Sequence, residues 1–182
     1  MKIALIALFF AASAFTQAQV APIASACGPD NVSFKVKLDK KDYPLAQPSA
    51  GKALVYFIHD SGGAPSLGYP TTKIGVDGAW VGANRSDSYF SVSVEPGEHH
   101  VCADLQTSLY GDRTEYAHFR AEAGKVYYYR TRLITSRSVE LLELDPLDGD
   151  QGKYLISIYP LSLPTSKKGG DTRRYSDNTK NR

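Results

Sequence analysis

Residues 88–104 read Ser-Tyr-Phe-Ser-Val-Ser-Val-Glu-Pro-Gly-Glu-His-His-Val-Cys-Ala-Asp. Phe90, Val92 and Val94 alternate with Ser91 and Ser93. Beyond Glu95-Pro96-Gly97-Glu98 the alternation resumes, with His100 and Cys102 set against His99, Val101 and Ala103. A period of two puts successive side chains on opposite faces of a strand, so this stretch needs a sheet with one buried face. Pro presets φ at the second turn position and Gly tolerates positive φ at the third, which predicts a type II turn closing a central hairpin.

The rest of the chain reads in the same style. Asn31–Leu38 alternates Val32, Phe34, Val36 and Leu38 with Ser33, Lys35 and Lys37, the lysine row of an edge or one-sided strand. Lys52–His59 is apolar almost throughout, which suits a strand buried on both faces. Thr71–Val76 and Ala79–Ala83 flank Asp77-Gly78, a hairpin turn signal. Tyr116–Ala121 and Val126–Leu133 flank a turn at Glu122-Ala123-Gly124-Lys125, and Val139–Leu144 is a further strand. Asp145–Gly152 reads as a turn region. The apolar residues of Lys153–Tyr159 fit both strand and helix periods, with the balance slightly toward helix. About nine short, turn-punctuated strands in one domain, 31–164, predict an all-β, mainly antiparallel sandwich with at most one short C-terminal helix.

The chain ends are of a different kind. Met1-Lys2 precedes ten apolar residues, Ile3–Ala12, and small and polar residues follow to Ala18. That is the layout of a secretory signal peptide spanning 1–18, with cleavage after Ala18. The apolar run is too short to span a bilayer. Residues 19–30 read as a linker, and Pro160 and Pro164 end the fold. Residues 165–182, polar and basic, read as a disordered tail. With Lys2 and this tail set aside, 14 basic and 17 acidic residues remain in 19–164, a net charge of −3. A mildly acidic domain is a poor partner for nucleic acid.

The two cysteines, Cys27 and Cys102, form an even pair in an exported chain and predict a disulfide. Ala24-Ser25-Ala26-Cys27 also loosely matches a lipoprotein processing site, which would make Cys27 a lipid anchor instead; two free thiols are the third reading. The spacing offers no CxxC pair for redox or zinc chemistry.

The apolar strand within Gly51–Val76, the Asp77-Gly78 turn, Pro96-Gly97-Glu98-His99 and Ala123-Gly124-Lys125-Val126-Tyr127-Tyr128 occur in this order. In these motifs the chain resembles the DUF2846 family over roughly residues 51–145. The resemblance implies a small exported bacterial protein with an immunoglobulin-like β-sandwich and an envelope location. It brings no catalytic residues with it, and the poor lipidation box departs from the family's lipoprotein members.

Chemistry-bearing residues are sparse. On the strand Val126–Leu133, Tyr127, Tyr129, Thr131 and Leu133 share one face, and Val126, Tyr128, Arg130 and Arg132 the other. Tyr128, Arg130 and Arg132 are the candidate binding residues, since guanidinium groups beside aromatic rings can engage a glycan or an anionic group. The competing reading puts Tyr127 and Tyr129 in the core and pairs the arginines with acids across strands. His99 and His100 point to opposite faces and suit no common metal. Asp145, Asp148 and Asp150 lack the spacing of a calcium loop. Ser61 after His59-Asp60 lacks the Gly-x-Ser-x-Gly elbow. The expectation is therefore a non-catalytic envelope module with no cofactor and no metal, whose partner is an envelope protein or glycan. The alternatives are a lipoprotein anchored at Cys27, or a hydrolase with a site at the Asp60–Pro70 loop served by His59, His99 or His118.

Overall fold

The computed structural model describes residues 26–62, 71–85, 87–106, 114–136 and 139–168. The expected signal peptide, most of the linker, residues 63–70 of the Asp60–Pro70 loop and the tail beyond Lys168 lie outside them. Ten strands and one helix follow in chain order among the described residues: β1 (Val32–Asp39), β2 (Ala53–His59), β3 (Thr71–Val76), β4 (Ala79–Arg85), β5 (Ser88–Val94), β6 (Gly97–Leu105), β7 (Thr114–Ala121), β8 (Val126–Ser136), β9 (Val139–Leu147), α1 (Gly149–Ile158) and β10 (Leu161–Lys168).

They form a sandwich of two sheets, one ordered β1-β10-β5-β2-β8-β9 and the other β4-β3-β6-β7. Its core draws Val55, Phe57, Phe90 and Tyr129 from the first sheet and Ile74, Val101, Ala103 and Phe119 from the second. The all-β expectation holds. Pairing is mainly antiparallel, with two parallel contacts, β2–β8 and β10–β5.

The unbroken apolar run of β2 has a plain cause. Val55 and Phe57 face the opposite sheet, while Leu54, Tyr56 and Ile58 face outward into a second, smaller core with Tyr89, Tyr128 and Ile156 of α1. Every residue of β2 is buried. The Asp77-Gly78 turn joins β3 to β4 with φ of 50° and 85°, the pair of positive values that a two-residue hairpin asks for.

The central hairpin, in contrast, is not one. Both strands form where the alternation places them, but β5 pairs with β2 and β10 while β6 pairs with β3 and β7, in the other sheet. The connection at Glu95-Pro96 is an arch across the core. Alternation reports which face of a strand is buried and says nothing of which strand lies beside it. Phe90 and Val94 on one side and Val101 and Ala103 on the other meet face to face. Pro96 has no N–H to give a ladder, and Gly97, at φ 141°, takes a turn of backbone open to glycine. The Glu122–Lys125 turn is a second arch, since β7 and β8 also lie in different sheets.

Three boundaries move. Asp145–Leu147 continues β9, where Asp145 stands opposite Arg130, instead of belonging to a turn. The helix starts at Gly149, because the Asp148 carboxylate accepts hydrogen bonds from the N–H groups of Asp150 and Gln151 at 2.9 Å each. This cap, outside the ambiguous window, decides for helix. Finally, the fold does not end at Pro164. β10 runs to Lys168 and pairs antiparallel with β1 from Asp39↔Leu161 to Val32↔Lys168. Pro164 is tolerated because the β10–β5 ladder is limited to Leu161, so it sits where the strand has a ladder on one side. Residues 165–168, polar by composition, are thus held by backbone pairing that composition does not report.

Candidate functional site

The parallel register of β2 and β8 sets Ile58 beside Arg130 and His59 beside Thr131, and the Asp60 N–H extends it by one bond to the Thr131 carbonyl (3.0 Å). Asp60 therefore emerges on the outward face next to Arg130 and Arg132, the face that the alternation of β8 predicts. Its carboxylate is nearly buried, at 7% exposure. Oδ1 accepts from the Gly62 N–H (2.9 Å) and the Tyr159 hydroxyl (2.8 Å). Oδ2 lies 3.4 Å from Arg132 Nη2 and 3.9 Å from Arg130 Nη1. Arg130 also reaches Asp145 Oδ2 at 3.5 Å. Beside this group the Ser61 N–H and hydroxyl both donate to Asp87 Oδ1, at 2.8 and 2.7 Å.

Burial acts to raise the Asp60 pKa, but the hydrogen bonds from Gly62 and Tyr159 and the Arg132 charge outweigh it and hold the carboxyl below its ordinary value. Burial pushes the Tyr159 phenol strongly up, and its hydrogen bond to Asp60 adds to the effect. The phenol is a fixed donor. The cluster is an ionised carboxylate that orients two guanidinium groups. Both arginines keep a buried Nε donor with no partner among the described residues, and both side chains are partly open to solvent.

Of the three predicted binding residues the structure brings two together. Tyr128 is elsewhere: its ring stacks on Tyr56 with centroids 5.5 Å apart. It is also covered by α1 so closely that a Cβ at Gly152 would stand 2.3 Å from the ring. Strand alternation puts Tyr128 on the face of the arginines but cannot show that a helix covers half of that face. Asp60 and Tyr159 were not singled out as partners of the arginines. Asp60 had one signal, an acid at the end of an apolar strand; Tyr159, 99 residues away in sequence, had none.

The remaining chemistry-bearing residues are engaged in bracing. His59 is buried at the seam between the sheets, with Nδ1 3.1 Å from Thr131 Oγ1 and 3.2 Å from Thr72 Oγ1. Desolvation lowers its pKa to about 4, against an opposing pull from Asp87 and Asp60. His99 Nδ1 meets Asp77 Oδ2 (2.6 Å), His99 Nε2 meets the Glu95 carbonyl (2.7 Å), and Asp77 Oδ1 accepts the His100 N–H (2.9 Å). The Asp-Gly turn and the Pro-Gly-x-His arch are thereby tied to each other. The arch at Ala123-Gly124-Lys125 is tied to β2 by the Gly124 N–H on the Lys52 carbonyl (2.9 Å), and the Tyr127 hydroxyl donates to the Arg120 carbonyl (3.1 Å). His118 faces His100 across β6 and β7. Asp148 caps α1 and Asp145 pairs with Arg130, which accounts for two of the three clustered aspartates. Among the described residues no group of three or more His, Cys, Asp or Glu side chains is placed to hold a metal.

The motifs that the sequence shares with a known family are thus the residues that fix its turns. Residues 49–142 match the family described as a protein of unknown function (DUF2846). The chain belongs to this family. No curated protein matches the chain. Seen on the structure, the family match covers β2 through the first four residues of β9. β1 and β10, at one edge of the first sheet, and α1 lie outside it. The Cys27–Cys102 disulfide joins the segment before β1 to β6 inside the match, and a disulfide points to an oxidising compartment. No helix among the described residues is long and apolar enough to cross a membrane.

Proposed function

We propose that this family member is an exported, non-catalytic β-sandwich module of the cell envelope that binds its partner, a glycan or an envelope protein, at the Arg130–Arg132 end of β8. The observation that carries this reading is the pair of guanidinium groups that Asp60 holds side by side, with 22% and 33% of the two side chains open to solvent. Asp60 fixes them, so little side-chain entropy remains to be lost on binding. Asp60 and Asp145 also balance their charge, so the partner is a surface rich in hydrogen-bond acceptors and not a densely charged polyanion. A non-catalytic role is supported by the engagement of His59 with two threonines, His99 with Asp77 and Ser61 with Asp87. Export is supported by the leader and the disulfide together.

Crosslinking in intact cells followed by pull-down tests the binding face. The wild type should capture a defined envelope component, and the double variant Arg130→Gln/Arg132→Gln should lose it while keeping its melting temperature. Equal capture by both would end the assignment. The intact mass of the exported protein tests the rest: a chain beginning at Gln19 and lacking two hydrogens supports the disulfide, whereas a diacylated Cys27 would replace it with the anchored lipoprotein. Ester hydrolysis abolished by Ser61→Ala would turn the reading over to the hydrolase alternative.

A further inference from the structure

The outward face of the second sheet holds a cavity that none of the preceding assignments uses. It measures about 610 Å³ and lies between the disulfide segment, β3, β4 and the β6–β7 edge. At its base the Lys73 ammonium pairs with Asp104 Oδ2 at 2.8 Å, with only 9% and 20% of the two side chains exposed. Thr114 donates to the other carboxylate oxygen at 3.1 Å. The Lys73 ammonium also stands 4.3 Å from the centre of the Trp80 ring. The Trp80 indole donates to the Pro29 carbonyl at 2.8 Å, which fixes its plane. Tyr116, 40% exposed, and Asp30 complete the wall.

We infer that this cavity is a binding site for a neutral saccharide, of about one or two sugar rings. The volume lies within the ordinary range for small-ligand sites, roughly 300–1,000 Å³. The chemistry narrows the ligand. An ion pair offers a donor and an acceptor side by side, and a hydroxyl can answer both at once because it donates and accepts. A charged ligand would have to compete with a partner already in place at 2.8 Å. Asp30 adds a negative charge at the rim that disfavours anions. The exposed Tyr116 ring beside a hydrogen-bonding floor suits a sugar, whose ring carries an apolar C–H face and a hydroxyl-lined edge; Trp80, with the Lys73 ammonium over its ring, shapes the wall. A purely apolar ligand would bury the ion pair without hydrogen-bonding it, at a desolvation cost. This site lies on the opposite sheet from Arg130 and Arg132 and stands independently of the reading given above.

Trp80 is the single tryptophan of the chain, so its fluorescence reports on this cavity alone. The oxidised, mature protein is titrated with maltose and with diacetylchitobiose as neutral probes and with glucuronate as the anionic one. A saturable change in Trp80 emission is expected for at least one neutral sugar, with glucuronate at least about tenfold weaker, a difference of ~1.4 kcal/mol. Asp104→Asn and Tyr116→Ala should each weaken binding about tenfold or more, and Arg130→Gln/Arg132→Gln should leave it unchanged. Should Asp104→Asn fail to fold, Tyr116→Ala, at an exposed position, and Thr114→Ala, at a half-buried one, carry the test. The inference is overturned by the absence of saturable binding in both fluorescence and ligand-observed NMR, by affinities unchanged in the Tyr116 and Thr114 variants, or by tighter binding of glucuronate. Envelope capture unchanged in Arg130→Gln/Arg132→Gln, with sugar binding intact, would count against the β8 assignment only.

Discussion

The two outer faces of the sandwich meet the same requirement by different means. A two-layer β fold leaves each sheet with an outward side, and here both are partly covered. On the first sheet the cover is α1, which lays Ile156 and Gly152 on Tyr56, Tyr89 and Tyr128. That contact is apolar, lies over the stacked Tyr56–Tyr128 pair, and is held at one end by the Asp148 cap. On the second sheet the cover among the described residues is Ala26–Asp30, which belongs to no strand, and its hold is covalent. Cys27 is bonded to Cys102, the Ala26 carbonyl accepts the Gly78 N–H at 3.2 Å, and the Pro29 carbonyl accepts from Trp80. Both covers approach so closely that only glycine fits beneath. A Cβ on Gly152 would meet the Tyr128 ring, and one on Gly75 would lie 2.6 Å from the Ala26 carbonyl oxygen. A helix can bury enough apolar surface to stay in place; a short irregular segment cannot, because ordering its backbone costs more than its few contacts return. The bond to Cys102 removes part of that cost from the folding step.

The sharpest way to break this contrast is Cys102→Ser. With the cysteines 75 positions apart in sequence, loop-closure entropy puts the loss at about 4–5 kcal/mol. The denaturant midpoint should fall accordingly, and Trp80 emission should shift to the red as Ala26–Asp30 lifts away, with the α1 face unaffected. A loss below about 1 kcal/mol would mean that the segment holds without its staple, and the contrast would fail.

The next effect acts on the seam between the faces. His59, on the first sheet, is held by Thr131 of that sheet and by Thr72 of the second. Its folded pKa is about 4 against 6.5 for the free side chain. The unfolded chain takes up the proton first as pH falls, so the stability contribution is complete above pH 6.5 and is lost between 6.5 and about 4. The loss is about 3 kcal/mol, read as a falling denaturant midpoint across that window. In His59→Gln this part of the pH profile should flatten. Asp60 acts lower: its pKa is already below the ordinary 3.8, so its contribution is lost only as pH falls beneath that value.

Two smaller effects sharpen the comparison directly. Gly75→Ala should cost about 1–3 kcal/mol, since the obstructing atoms are backbone held by the disulfide. In the Cys102→Ser background that cost should shrink, because the freed segment can yield. Gly152→Ala should cost less than Gly75→Ala, because a helix-interior alanine recovers up to about 1 kcal/mol of propensity. Its cost should be the same with or without the disulfide. A double-mutant cycle reads both differences. Smallest of all, Asp148→Ala should remove about 1 kcal/mol through loss of the helix cap, without touching the second face.

Much of this fold was legible before any coordinates. The alternation of Phe90, Val92 and Val94, the unbroken run of β2 and the Asp-Gly turn each describe a local backbone and its faces, and all three stand. Two cysteines in a chain with an export leader allow a disulfide, a lipid anchor at Cys27 or free thiols, and the structure has the disulfide. What did not carry over is relational. The serine–valine alternation of β5 is the same whether β6 lies beside it or across the core from it. Tyr128 shares a face with Arg130 and Arg132, yet only the position of α1 decides that one is covered while the other two are open. The site at Asp60 needs β2 and β8 in parallel register and Tyr159 brought over them from the far end of the chain.

By itself the sequence determined that the segments from β1 to β9 are strands, which face of each is apolar, where the tightest turn falls and which sulfurs can meet. These are properties of a few neighbouring residues, set by φ preferences and by the period of two. Tertiary structure alone decided that the turns at Glu95-Pro96 and Glu122–Lys125 cross between sheets, that β10 returns to β1, and that Asp60, Arg130, Arg132 and Tyr159 converge. The reason is that local patterns fix how a strand is oriented, whereas its neighbours are chosen by the packing of all the buried faces at once.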